Sequence, residues 1–193
     1  MTDLTLVIPA KFEKESLPIF LDELKNFEFK IIIVVEEADF ETVNVLKGNN
    51  DIQLVFQNIK GYGAALIEGI SNVNTKYFCI INADGSMNPN NLELMLEEVK
   101  NRELDFLFTS RYEKNGGSDD DSMLTKVGNY FFTNLGNIFF NLKITDILYT
   151  YVIGNTKCFN ELNLKSNDFT FCVEFPINKR QKIRVNNLVN LKS

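Results

Sequence analysis

Histidine is absent from this chain, and that absence removes a good deal of chemistry. No imidazole can act as general base, complete a Ser-His-Asp triad or ligate zinc. Cysteine is scarce. Cys79, Cys158 and Cys172 are far apart and odd in number, so reduced, buried thiols in a reducing cytoplasm are expected rather than a disulfide framework. No uninterrupted apolar run approaches the roughly 18 residues of a membrane-spanning helix. Basic residues are the minority, 20 Lys and Arg against 26 Asp and Glu for a formal charge of -6. A general nucleic-acid binder would show a basic face, so nucleic acid is not an expected partner. The opening residues carry neither a basic n-region nor an apolar h-region, and no secretory leader is expected.

What is present is a globular composition, 45% hydrophobic and 24% charged over 193 residues, enough for one substantial core. A single domain over 1–193 is expected. The first half alternates strand and helix patterns. Residues 4–8 read as a strand stopped by Pro9, and Ser16 as the N-cap of a helix through Phe20, Leu21 and Leu24. The β-branched run at 30–35 suits a strand buried on both faces. A helix is expected over 40–46 and a strand over 52–56. Gly61-Tyr62-Gly63 opens a helix through Ile70, residues 77–81 form a strand, Pro89 begins a helix, and 104–109 form a strand. Strands separated by helices of this length imply βαβ units and a mainly parallel sheet.

The most informative stretch is 76–86, where a short apolar strand runs into Asp84 followed by Gly85. In open α/β sheets, ligands bind outside the carboxyl ends of strands. A carboxylate released there can hold a divalent cation against a phosphate-bearing ligand. The other reading is an ordinary turn before the next helix, since Asp and Gly both form turns. Both stand on these residues alone.

Beyond Arg111 the pattern changes. Residues 112–122 form a Gly-, Asn- and Asp-rich loop, with Asp119, Asp120 and Asp121 as a solvated acidic run. Val127, Phe131, Leu135, Ile138 and Leu142, with Phe132 and Phe139, are spaced as a helix. That helix either packs in the core or faces an acceptor or a membrane. Residues 145–188 read as short strands around a small helix near 158–164.

Several segments together resemble family 2 glycosyltransferases of the GT-A fold, closest to dolichyl- or polyprenyl-phosphate sugar synthases and their bacterial relatives. Leu6-Val7-Ile8-Pro9-Ala10-Lys11-Phe12-Glu13 is similar to the family's opening strand, and residues 31–37 to its strand ending in two aspartates. Lys60-Gly61-Tyr62-Gly63-Ala64-Ala65 is similar to its Lys-Gly-x-Gly-x-Ala turn, and Asn82-Ala83-Asp84 falls on its Asp-x-Asp position. Thr109-Ser110-Arg111-Tyr112 with Gly116-Gly117, then Thr145-Asp146, then residues 169–174 follow in the family's order. The resemblance implies an α/β, Rossmann-like fold with a mainly parallel sheet flanked by helices. Residues 1–111 would bind the nucleotide-sugar and residues 112–193 would form the acceptor side.

It also implies a nucleotide-diphosphate sugar as donor, with base and ribose near Pro9, Ala10, Glu13, Glu36 and Glu37. Gly61 and Gly63 would let backbone N–H groups approach the ligand, with Lys60 adding positive charge. Asn82 and Ala83 would border the diphosphate, and Asp84 would bind Mg²⁺ or Mn²⁺ with its oxygens. Arg111 and Lys126 would grip an anionic group, for which the planar fork of Arg is suited. An ionised phosphate acceptor needs no general base, whereas a hydroxyl acceptor requires a carboxylate. Asp146 and Glu174 are the candidates. The acceptor expected is a lipid phosphate or a saccharide in cell-envelope or polysaccharide synthesis, with the protein cytoplasmic or peripheral at the inner membrane face.

The sequence departs from the family pattern in places. Glu36-Glu37 replaces the aspartate pair, Asn82 replaces the first acid of Asp-x-Asp, and Tyr149-Thr150-Tyr151-Val152 stands where the family has Ser-Gly-Phe-Arg. Asn82 and Val152 favour a second reading, a GT-A scaffold that binds a nucleotide or partner without turnover. A nucleotidyltransferase would show a Gly-rich, arginine-bearing loop after the first strand, and Ala10-Lys11-Phe12-Glu13 is not one.

Overall fold

The computed structural model describes residues 3–110 and 146–178, together with the helical positions Tyr130, Thr133, Asn134 and Asn137. Its centre is a six-stranded sheet of order β3-β2-β1-β4-β6-β5. The strands are β1 (Leu4–Ala10), β2 (Lys30–Val35), β3 (Ile52–Phe56), β4 (Tyr77–Ile80), β5 (Phe106–Phe108) and β6 (Val152–Asn155). The first four pair in parallel, while β6 runs antiparallel to both β4 and β5. The sheet is therefore mostly parallel, with its one reversed strand wedged between β4 and β5.

Both faces are covered, which is why these strands read as nearly continuous apolar runs. The period of two sorts β1: Leu4, Leu6, Ile8 and Ala10 join one core, Val7 the other. The first core is closed by α1 (Ser16–Leu24), α2 (Phe40–Leu46) and α4 (Leu92–Asn101). Helix α1 buries Leu17, Phe20, Leu21 and Leu24, one stripe at helical spacing. The second core is closed by α3 (Tyr62–Ser71), α5 (Thr156–Leu162) and α6 (Phe171–Ile177). There Phe159, Phe171 and Phe175 pack edge-on or tilted with Phe78, Phe106 and Phe108, the geometry aromatic quadrupoles prefer.

Several expected boundaries shift, each for a local reason. Strand β1 continues through Pro9 to Ala10. The Val7 carbonyl accepts Ile81 N–H, so Val7 and Pro9 face the β4 side, and the β1–β4 ladder ends at Val7 opposite Ile80. The N–H that Pro9 lacks thus falls beyond the last rung. Pro89 opens a 3-10 turn, Pro89–Asn91, rather than α4 itself. The expected strand over 104–109 shortens to Phe106–Phe108. After residue 145 the described chain is one strand and two helices, and Phe171–Ile177 is helical where strands were expected. Of the Phe-rich helix, Tyr130, Thr133, Asn134 and Asn137 are helical. Val127, Phe131, Phe132, Leu135, Ile138, Phe139 and Leu142 lie outside the described residues, as do Asp119, Asp120 and Asp121. No helix among the described residues is long and apolar enough to cross a membrane.

Candidate functional site

Strand order reverses at β1: β2 and β3 lie to one side, β4 to the other. Neighbouring connections then leave the sheet in opposite directions and open a crevice at the carboxyl ends. A cleft of about 500 Å³ occupies that place, lined by Pro9 and Ala10 from β1, Glu13 and Glu36 from the following loops, and Asn82, Ala83 and Asp84 after β4. Lys11, Val34, Gln57, Gly61, Tyr62, Ala65, Leu148, Thr150, Asp168, Phe169 and Cys172 line the rest.

The wall formed by the loops after β1 and β2 is held by a network of polar contacts. The Asp39 carboxylate accepts Phe12 N–H at 2.7 Å and Thr42 N–H at 3.2 Å. Glu13 N–H donates to Thr42 Oγ1 at 3.0 Å. Burial pushes the Asp39 carboxyl up, but these hydrogen bonds and the Lys11 charge outweigh it and hold the group below its ordinary value. Lys11 pairs with Glu36 at 2.9 Å, and Lys60 approaches the same carboxylate at 3.8 Å. The Lys11 ammonium holds Glu36 below the usual carboxylate range, with Lys60 adding a smaller share. Glu37, its neighbour, is exposed and is not among the cleft-lining residues.

The opposite wall is a loop, residues 163–170, clamped onto the start of α3. Ala64 N–H donates to the Asn167 carbonyl at 3.0 Å. Gly61 has φ +124, and a Cβ there would stand 2.1 Å from the Asn167 oxygen. One on Gly63 would stand 2.2 Å from the Ser166 oxygen and 2.7 Å from Phe171 Cβ. The chain's own loop therefore packs against both glycines on the side a Cβ would take, while Gly61 also lines the cleft. Glu174 anchors the loop from the other end, accepting Lys165 N–H at 3.0 Å and Ser166 N–H at 2.8 Å. This carboxylate holds backbone and is not among the cleft-lining residues.

Asp168 and Phe169 are thereby fixed at the rim. Asp168 accepts the Thr170 N–H and hydroxyl, which hold its carboxyl below the ordinary value. The Phe169 ring stacks on Tyr62 with centroids 5.0 Å apart. Asp146 is buried beside Cys172, whose thiol is pushed up to about 12, chiefly by burial and further by the Asp146 charge. Arg111 and Lys126 lie outside the described residues.

Asp84 is exposed at the mouth and accepts Ser86 N–H at 2.9 Å. Among the described residues no group of three or more Cys, Asp or Glu side chains is gathered to cage a metal. A single carboxylate in an open cleft still fits Mg²⁺ or Mn²⁺, because such ions are held by one or two carboxylates plus substrate phosphates.

Of the residues singled out in the sequence, the fold brings Pro9, Ala10, Glu13, Glu36, Gly61, Asn82, Ala83 and Asp84 to this one cleft. It leaves Glu37, Lys60, Gly63, Glu174 and Asp146 off the lining. Sequence reasoning passed over Gln57, Tyr62, Thr150, Asp168 and Cys172 as site residues. Tyr62 sits between two glycines at a helix start and Asp168 beside an aromatic, and those were the signals available.

Residues 5–162 match the profile of the family described as Glycosyl transferase family 2. The chain belongs to that family. A glycosyltransferase of Mycobacterium tuberculosis described as uncharacterized is 30% identical over 49% of this chain and 43% of its own length. A dolichyl-phosphate beta-glucosyltransferase of Trichomonas vaginalis is 30% identical over 50% of this chain and 35% of its own. The crystal structure of Mycobacterium tuberculosis glucosyl-3-phosphoglycerate synthase with Mn²⁺, UDP and glucosyl-3-phosphoglycerate superposes at TM-score 0.67 and 11% identity, covering 88% of this chain and 62% of that one. The fold of this family 2 member is thus GT-A. Its matches span less than half of the two curated relatives.

Proposed function

We propose that this family 2 member is a glycosyltransferase that takes a sugar from a nucleotide-diphosphate donor, with a divalent cation, and transfers it to a lipid-phosphate or saccharide acceptor. The supporting observation is the meeting of Asp84, Asn82, Ala10 and Glu36 around one cleft at the strand-order switch point. The UDP and Mn²⁺ bound by the structural neighbour and the dolichyl-phosphate substrate in a relative's name are consistent with it.

In this reading the nucleoside lies over the ends of β1 and β2. Glu36 accepts hydrogen bonds there from ribose hydroxyls or a base N–H, and its pairing with Lys11 keeps it ionised. The diphosphate extends toward Asp84. Asp84 would hold a divalent cation, which when bound would neutralise negative charge on the departing nucleotide. Asp84 orients the diphosphate end of the donor, and the Phe169 ring and the clamped 163–170 loop shield the reacting sugar from water. A phosphate acceptor arrives already ionised. A hydroxyl acceptor gives its proton to Asp168, which lines the cleft where Glu174 does not. A lipid-linked acceptor would bring the protein to the inner face of a membrane.

The test is turnover of a panel of UDP- and GDP-sugars with Mn²⁺, read as release of free nucleotide. The expected result is release from at least one donor, lost in Asp84→Ala. Absence of both release and binding across the panel contradicts the proposal.

A further inference from the structure

The Asp-x-Asp position of this chain differs from two acids in more than charge. Tyr62, the first residue of α3, points its hydroxyl inward, donating to Asn82 Oδ1 at 3.3 Å and lying 2.6 Å from Thr150 Oγ1. A phenol has one proton and a hydroxyl one more. With the Tyr62 proton on Asn82 Oδ1, the Thr150 hydroxyl donates to the Tyr62 oxygen. Thr150 is buried, and burial drives the Tyr62 phenol well above its ordinary value, so the proton stays in place. The Phe169 ring stacked on Tyr62 holds the phenol in plane.

The consequence falls on Asn82. Its amide oxygen is engaged, and among the described residues its Nδ2 has no partner while the side chain lines the cleft. The group turned toward a ligand is therefore an N–H donor. An aspartate here would offer negative charge, and a diphosphate could approach it only across a cation. An amide donor bonds a phosphate oxygen directly, as charge-assisted hydrogen bonds do.

We propose that Tyr62 is a positioning residue that locks Asn82 with its NH₂ toward the donor diphosphate, so that the cleft binds a nucleoside diphosphate even without a divalent cation. The inference rests on the nucleotide-sugar reading above and goes further in assigning the division of labour: Asn82 supplies the metal-independent part of binding, Asp84 the metal-dependent part.

Calorimetric titration with UDP and GDP, each in EDTA and in Mn²⁺, tests it, with melting temperatures recorded for every variant. The wild type should bind at least one of the two in EDTA. Tyr62→Phe keeps the ring stack and loses only the hydroxyl. It should weaken binding in EDTA by about three- to tenfold, the worth of one hydrogen bond, while the further tightening by Mn²⁺ is unchanged. Asn82→Asp should weaken binding in EDTA by more than about tenfold, as like charges do, and recover in Mn²⁺. If Tyr62→Phe fails to fold, Asn82→Asp decides alone. Binding in EDTA that is unaltered by either variant overturns the proposal. Wild-type binding in Mn²⁺ but none in EDTA overturns it and leaves the nucleotide-sugar reading standing. No binding in either condition overturns both.

Discussion

The Asp39 carboxylate accepts the Phe12 N–H at 2.7 Å, and this bond ties the loop after β1 to the loop after β2. Asp39 also caps α2 through Thr42 N–H at 3.2 Å, so one buried side chain sets the spacing of the two loops that form one wall of the cleft. Its replacement by Ala should cost about 2 kcal/mol, the usual worth of hydrogen bonds to a charged group, measured by urea unfolding.

The same residue gives a pH dependence of known sign. The folded carboxyl titrates below the 3.8 of an unperturbed group. Its contribution is therefore complete above that value and is lost as pH falls through the lower, folded one. The stability gap between wild type and Asp39→Asn should be constant above about pH 5 and should shrink in more acid solution.

Gly63→Ala would drive a Cβ to 2.2 Å from the Ser166 oxygen, and backbone rather than a flexible side chain must give way. We expect a loss of about 1–3 kcal/mol, the range for overpacking. Nucleotide affinity should fall with it, because the displaced loop carries Asp168 and Phe169. Thermal melts and UDP titration of the same preparation check both.

Glu174→Ala frees the Lys165 and Ser166 N–H groups and should destabilise by about 1–3 kcal/mol. As an anchor and not a base, it should leave the pH profile of turnover unchanged in shape. A lost basic limb in that profile would return Glu174 to the chemistry.

Asp84→Ala should leave the melting temperature within about 1 °C, since exposed substitutions of this kind change stability little. The tightening of UDP binding by Mn²⁺ should disappear.

Much of this fold was legible in the chain because local periodicity was strong. The helix over 40–46 and the strand over 52–56 coincide with α2 and β3, and Gly61 is the N-cap of α3. The place of β6 was not legible. Val152 reads as a variant of a binding motif, yet it lies buried in β6 opposite Ile80 and Phe108, a pairing decided by tertiary contacts between distant segments. The site divides the same way. Asp84 and Glu36 follow strands directly and are visible as such. Tyr62 and Thr150 meet across 88 positions of sequence, and Asp168 reaches the rim on a loop whose Asn167 carbonyl accepts Ala64 N–H, contacts that no local pattern encodes. Glu174 shows the converse: a carboxylate in the right sequence neighbourhood that accepts the backbone N–H groups of Lys165 and Ser166 and lies off the cleft lining.

The most direct test of the central claim is a crystal structure of the protein with UDP and Mn²⁺. The account predicts the nucleoside over the ends of β1 and β2, the diphosphate beside the Asn82 amide, and an anomalous manganese peak coordinated by Asp84. A nucleotide bound elsewhere, or a manganese peak away from Asp84, would contradict it.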